Sequence, residues 1–117
     1  MITHKIPGEL LESATRTTNG SSSTLLCDDT DHIDVIVSVT AKAGTTPALN
    51  IKAQTRERST DTWMDIPLGA LSEITTDGAY YLPIDNGILN YFKLYYTIAG
   101  ASASFTFSIR TLKRNIF

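Results

Sequence analysis

The run from Gly44 to Trp63, GTTPALNIKAQTRERSTDTW, constrains the fold more than any other part of this chain. A Gly/Thr/Pro turn leads into a segment in which Leu49, Ile51 and Ala53 alternate with Asn50, Lys52 and Gln54. A polar turn from Arg58 to Thr62 then delivers Trp63. Alternation with a period of two places successive side chains on opposite faces of a strand, one face buried and the other wetted. The pattern recurs. In His32 to Thr40, Ile33, Val35, Val37 and Val39 point one way, and Asp34, Ile36, Ser38 and Thr40 the other. In Tyr91 to Ala99, Phe92, Leu94, Tyr96 and Ile98 share a face opposite Lys93, Tyr95 and Thr97. In Ser104 to Arg110, Phe105, Phe107 and Ile109 share one.

Between these segments lie breakers and shorter runs. Gly8 to Ala14 reads as a first strand or a short helical turn, and Thr24 to Cys27, Trp63 to Ile66 and Ala79 to Leu82 as short strands. Asn19-Gly20, Asp77-Gly78 and Asp85-Asn86-Gly87 mark turns, Ala41 to Pro47 a loop, and Gly100 to Ser102 a hairpin tip. About eight short strands with turn signals every 8–12 residues describe an all-β chain, an antiparallel β-sandwich of jelly-roll-like form. Ile33, Val35, Val37, Leu49, Ile51, Leu94, Ile98, Phe105 and Phe107 are the expected core, with Trp63 plugging the sandwich.

The 117 residues make one domain, 1–117, able to bury roughly 65% of its unfolded surface without disulfide or metal support. A single Cys27 excludes an intrachain disulfide and suits a reducing cytoplasm. Ten basic and 12 acidic residues, for a net charge of −2, argue against a nucleic-acid partner, which would call for a basic stripe. No segment approaches the ~20 apolar residues of a membrane helix, so no membrane partner is expected. The N-terminus has no signal-peptide core. Ser and Thr, nearly a quarter of the chain, suit strands and wet sheet faces without adding charge.

No motif carries recognisable chemistry. Asp28, Asp29, Asp31 and His32 form the densest set of metal ligands, and His32 and Asp34 would project from one strand face. A calcium loop needs about six oxygen ligands and a Gly at its sharp turn, and no H-x-x-x-H spacing occurs. Asp before a strand is explained by turn chemistry, so no metal and no cofactor is expected. The two histidines, His4 and His32, accompany no G-x-S-x-G elbow. Cys27 in an apolar strand reads as a small buried hydrophobe. No catalytic residue is assigned, and the chain is read as a non-enzyme. Asn19-Gly20-Ser21 is a glycosylation sequon that, without a secretion signal, is only a loop. Tyr80, Tyr81, Tyr91, Tyr95, Tyr96 and Trp63 could line a sugar-binding face; alternation assigns Tyr96 to the core and leaves Tyr95, with Tyr80 or Tyr81, for a surface. Lys52, Arg56, Arg58, Lys93 and Arg110 read as a solvated mixed-charge face among Glu57, Asp61 and Asp65.

The termini carry apolar residues where chain ends are usually polar and frayed. An N-terminal arm, 1–7, holds Ile2 and Ile6; a C-terminal arm, 113–117, holds Ile116 and Phe117. These four, with outward-facing Ile36 and Tyr95, are the candidate interface residues.

GTTPALNIKAQTRERSTDTWMDIP, ITTDGAYYLPI and YFKLYYTIAGASASFTFSIR together resemble a pattern of small virion proteins of tailed bacteriophages. It comprises a Gly/Ser/Thr-Pro turn, an alternating strand, a polar turn and Trp, a T-x-x-G-x-Y strand, and a final segment matched here by Tyr96, Ile98, Gly100, Ser102, Ser104, Phe105, Phe107 and Ser108. The resemblance spans residues 33–110; the turn Ser59-Thr60-Asp61-Thr62 departs from it in lacking Asp-Gly before Trp63. It implies a capsid cement or decoration protein: a jelly-roll-like subunit, assembled in the host cytoplasm, that binds the major capsid protein on the outer shell as a homo-oligomer, dimer or trimer. A head–tail adaptor or tail component is the alternative within the virion, and a carbohydrate-binding module the alternative outside it.

Overall fold

The computed structural model describes residues 3–27 and 30–116, with side chains for 7–27 and 30–114. The described residues form strands β1 (Thr3–Arg16), β2 (Gly20–Ser21), β3 (Leu25–Leu26), β4 (Thr30–Arg56), β5 (Met64–Ala70), β6 (Gly78–Ile84) and β7 (Tyr91–Ile116), all paired antiparallel. β4 and β7 are long strands of 27 and 26 residues that run side by side, from Thr30 against Asn115 to Arg56 against Tyr91.

Both bend midway, and the bend turns one hydrogen-bonded network into two layers. In the first sheet the order is β1, residues 105–116, residues 30–43 and β6. In the second, β2 and β3 share one edge, followed by residues 91–99, residues 48–56 and β5. Counted as half-strands, the early segments pair with β7 and the halves of β4 with β6 and β5. This is the jelly-roll arrangement of an antiparallel sandwich.

Glycine makes the bend possible. Gly44 and Gly100 sit at it with φ of +104° and +118°, and Thr46 and Ser102 beside them adopt φ of 45° and 53°. A Cβ on Gly44 would lie 2.7 Å from the Ala103 Cα, and one on Gly100 2.8 Å from the Thr45 carbonyl oxygen. Register shifts fall on both sides of Thr45. Extra residues of this kind bend and twist a strand, and only glycine reaches such backbone angles without strain. Across the corner the buried positions of β7 pass from even numbers (Phe92, Leu94, Tyr96) to odd ones (Phe105, Phe107, Ile109). Gly100 to Ser102 is therefore not a hairpin tip. The chain crosses there from one sheet to the other, and each half keeps β4, rather than the other half, as its partner.

The inner faces of both sheets meet in one hydrophobic cluster. Ile33, Val35, Val37, Leu49, Ile51, Leu94, Phe105 and Phe107 are buried as expected, while Ile98, near the corner, is only partly covered. Tyr96 of the second sheet meets Phe107 of the first edge-to-face, with ring centroids 5.1 Å apart, a favoured aromatic geometry. Trp63 does not plug this core. The odd parity of β4 already fills the space with Leu49, Ile51 and Ala53, and Trp63, beyond the turn, lies half-buried on the outer face under two cations.

Candidate functional site

The wet face of the second sheet carries a ladder of outward pairs set by the register of β4 and β7: Lys52 opposite Tyr95, Gln54 opposite Lys93, and Arg56 opposite Tyr91. The turn after β4 adds Trp63. Asp61 holds that turn, accepting from the Arg58 backbone N–H with its carboxylate (3.1 Å) and donating its own N–H to the Arg58 carbonyl (3.0 Å). The chain is thereby folded back so that the indole lies beside Arg56 and Lys93. Arg56 Cζ is 4.2 Å from the Trp63 ring centre and Lys93 Nζ 4.7 Å; Arg56 also lies 5.5 Å from the Tyr91 ring centre, and Lys52 Nζ 5.7 Å from that of Tyr95. All fall within the range of attraction between a cation and a ring.

Charge on this face is unevenly compensated. Lys52 pairs with Asp65 at 3.0 Å, and Gln54 donates to the same carboxylate. These hydrogen bonds, Gln54 first and Lys52 second, hold the Asp65 carboxyl below its ordinary value. Among the described residues Arg56 donates only to the Asp61 carbonyl, at 3.4 Å, and its Nε is closed off from solvent without an acceptor. Among the described residues neither Arg56 nor Lys93 has an ion-pair partner. Burial, and then the neighbouring Arg56 charge, push the Lys93 ammonium below its ordinary value.

A second polar cluster lies on the outer face of the first sheet. His32, on an outward position of β4, is nevertheless buried, its ring held between carboxylates: Nε2 meets Asp34 at 2.7 Å and Nδ1 meets Asp85. The Tyr81 hydroxyl donates to Asp34 at 2.5 Å. Burial raises the Asp34 carboxyl, but the hydrogen bonds from Tyr81 and His32 and the charges of His32 and Arg114 outweigh it, and the net shift is downward. The bond to Asp34 raises the Tyr81 phenol. His32 and Asp34 do share a face, as their spacing requires, but they contact each other, and the two carboxylates meet different nitrogens of the ring. Among the described residues no group of three such side chains is placed to hold a metal ion. Asp28 and Asp29 lie outside the described residues.

The candidate interface residues divide between the two faces. Ile36 is paired with Arg110 and Tyr81 on the first sheet and lines a shallow depression of about 400 Å³ with Pro7, Glu9 and Leu112. The backbones of the two arms join the same sheet: Ile6 pairs with Lys113, and Thr3 with Ile116. Tyr95 lies on the opposite sheet, beside Lys52. Ile2 and Phe117 lie outside the described residues, as do the side chains of Ile6 and Ile116. Tyr81 is exposed, whereas Tyr80 is tied by its hydroxyl to the Thr76 carbonyl at 2.6 Å. Asn19 of the sequon is engaged, its Oδ1 accepting from the Ile98 N–H at 2.9 Å. Two features had no sequence signal. The Arg56–Trp63–Lys93 cluster depends on which way the turn folds back, and Leu68, 98% exposed with φ of 60°, lies in β5 beyond the Trp63 to Ile66 run that the sequence marks as a strand.

The chain matches no protein-family model and no curated protein. Among solved structures it is similar to the crystal structure of the SPBc2 prophage-derived protein YomS, at 13% identity, covering 98% of this chain and 96% of that one with a TM-score of 0.59. At that identity the likeness is one of fold.

Proposed function

We propose that this chain is a non-enzymatic structural protein of a tailed-phage particle, a decoration subunit that binds the major capsid protein and stabilises the shell from outside. The observation that carries the reading is the near full-length likeness in fold to a prophage-derived protein, taken with the phage-virion pattern of residues 33–110. The site chemistry agrees with it. The outward-facing groups form ion pairs, ring–cation contacts and a histidine clasped by carboxylates, which suit recognition rather than turnover. Stabilisation would be additive: many copies each cover a seam between shell subunits, a standard interface burying about 1,600 Å², and multivalent attachment resists disruption. The apolar arms and the Ile36 depression supply one face for contacts between copies or with the shell. The test is sedimentation of the purified chain with capsid shells that lack it. Saturable co-sedimentation together with a higher shell-opening temperature supports the role; a chain left in the supernatant at all concentrations contradicts it.

A further inference from the structure

Arg56 and Lys93 stand out from the other cations of the second sheet. Lys52 has Asp65 and Arg58 has Glu57 at 3.9 Å, whereas these two share one indole and, among the described residues, pair with no carboxylate. Two like charges gathered on one ring repel each other, and the ring's partial negative face offsets only part of that. Among the described residues the arrangement has no carboxylate of its own. It also occurs in a chain whose net charge is −2, so it is a local feature rather than the tail of a general basic character.

We propose that Arg56 and Lys93, sharing Trp63, form a docking site for the carboxylates of an acidic segment on a protein partner. The inference rests on reading the chain as a protein-docking module, though not on the identity of the particle. The guanidinium offers a planar fork matched to a carboxylate, the ammonium a second donor, and the indole a rigid surface beside them. Arg, Trp and Tyr are the residues that carry most binding energy at interfaces. A sugar is a poorer occupant, because each of the rings of Trp63, Tyr91 and Tyr95 already has a cation over it, where a carbohydrate module would present an aromatic face for stacking. A nucleic-acid backbone is poorer too, because no basic stripe extends from the pair in a chain of net charge −2.

Trp63 is the chain's single tryptophan, so its fluorescence reads this site directly. Titrating the purified chain with hexaglutamate at constant ionic strength should give a saturable change in emission. R56Q and K93Q, each with its fold checked by melting, should weaken that response about tenfold or more, and K42Q, an exposed lysine away from the site, should leave it intact. No response, an equal response in R56Q and K93Q, or an equal response to inorganic phosphate, a single-stranded oligonucleotide or sialyllactose would overturn the proposal. The sedimentation assay separates the two readings. A chain that binds shells but ignores hexaglutamate retains the structural role and loses this site; one that binds hexaglutamate but no shells does the reverse.

Discussion

Arg56 holds its guanidinium carbon 4.2 Å from the centre of the Trp63 ring, across a turn that Asp61 ties together. The contact joins the end of β4 to the start of β5 on the solvent side, so the tryptophan organises a surface where its size would suggest a core.

That placement has an energetic consequence. Trp63→Ala should cost about 1–2 kcal/mol, the scale of a partly desolvated cation–ring contact. Phe105→Ala or Phe107→Ala, which empties a fully buried site, should cost about 3–5 kcal/mol. Urea denaturation of the variants measures both. A Trp63→Ala cost equal to that of the phenylalanines would place the indole in the core after all.

The corner provides the second prediction. Gly44→Ala introduces a methyl 2.7 Å from the Ala103 Cα at a φ of +104°, so contact and backbone strain add. A loss of about 2 kcal/mol or more is expected. Gly8→Ala, whose Cβ would meet only the Thr111 hydroxyl oxygen at 3.5 Å, should be tolerated far better. Equal melting temperatures for the two variants would mean that the bend does not depend on the glycine.

Alternation made most of the fold legible. The parity of Ile33 to Val39, Leu49 to Ala53 and Phe105 to Ile109 fixed which faces are buried, because a one-residue slip would expose every one of them. The corner was not legible, since a glycine between two alternating runs looks the same in a hairpin as in a strand that changes sheets. What differs is the long-range pairing with β4. The site was harder still to foresee. Arg56 and Lys93 are read correctly as outward-facing, but that no acidic partner meets them among the described residues depends on where the side chains of Asp61 and Asp65 go. Asp61 turns back to the Arg58 N–H and Asp65 to Lys52.

Acid should unfold the chain partly through Asp34. Its carboxyl is held below the ordinary value in the fold, so its stabilisation is fully present above the unfolded value of about 3.9 and is lost as pH falls through the lower folded one. Thermal melts from about pH 5 downward should therefore fall less steeply for Asp34→Asn, which starts less stable, than for the natural chain. Tyr81→Phe, removing the donor to Asp34, should show part of the same flattening. Parallel curves for all three would show that Asp34 titrates alike in the folded and unfolded chain.

The ends of the chain pair with each other, Thr3 with Ile116 and His4 with Asn115. Truncation after Arg114 strips these partners from β1 and should lower the melting temperature. If the shortened chain still binds shells, the C-terminal arm acts as a staple on its own sheet; if it melts unchanged and no longer binds, the arm is an assembly element.

The most direct test of the structural role is the number of copies per purified particle, by quantitative mass spectrometry against the major capsid protein. A decoration subunit covering the seams of the shell should be present on the order of hundreds of copies. About a dozen copies or fewer would move the protein to the head–tail junction or the tail, and its absence from particles would contradict a virion role altogether.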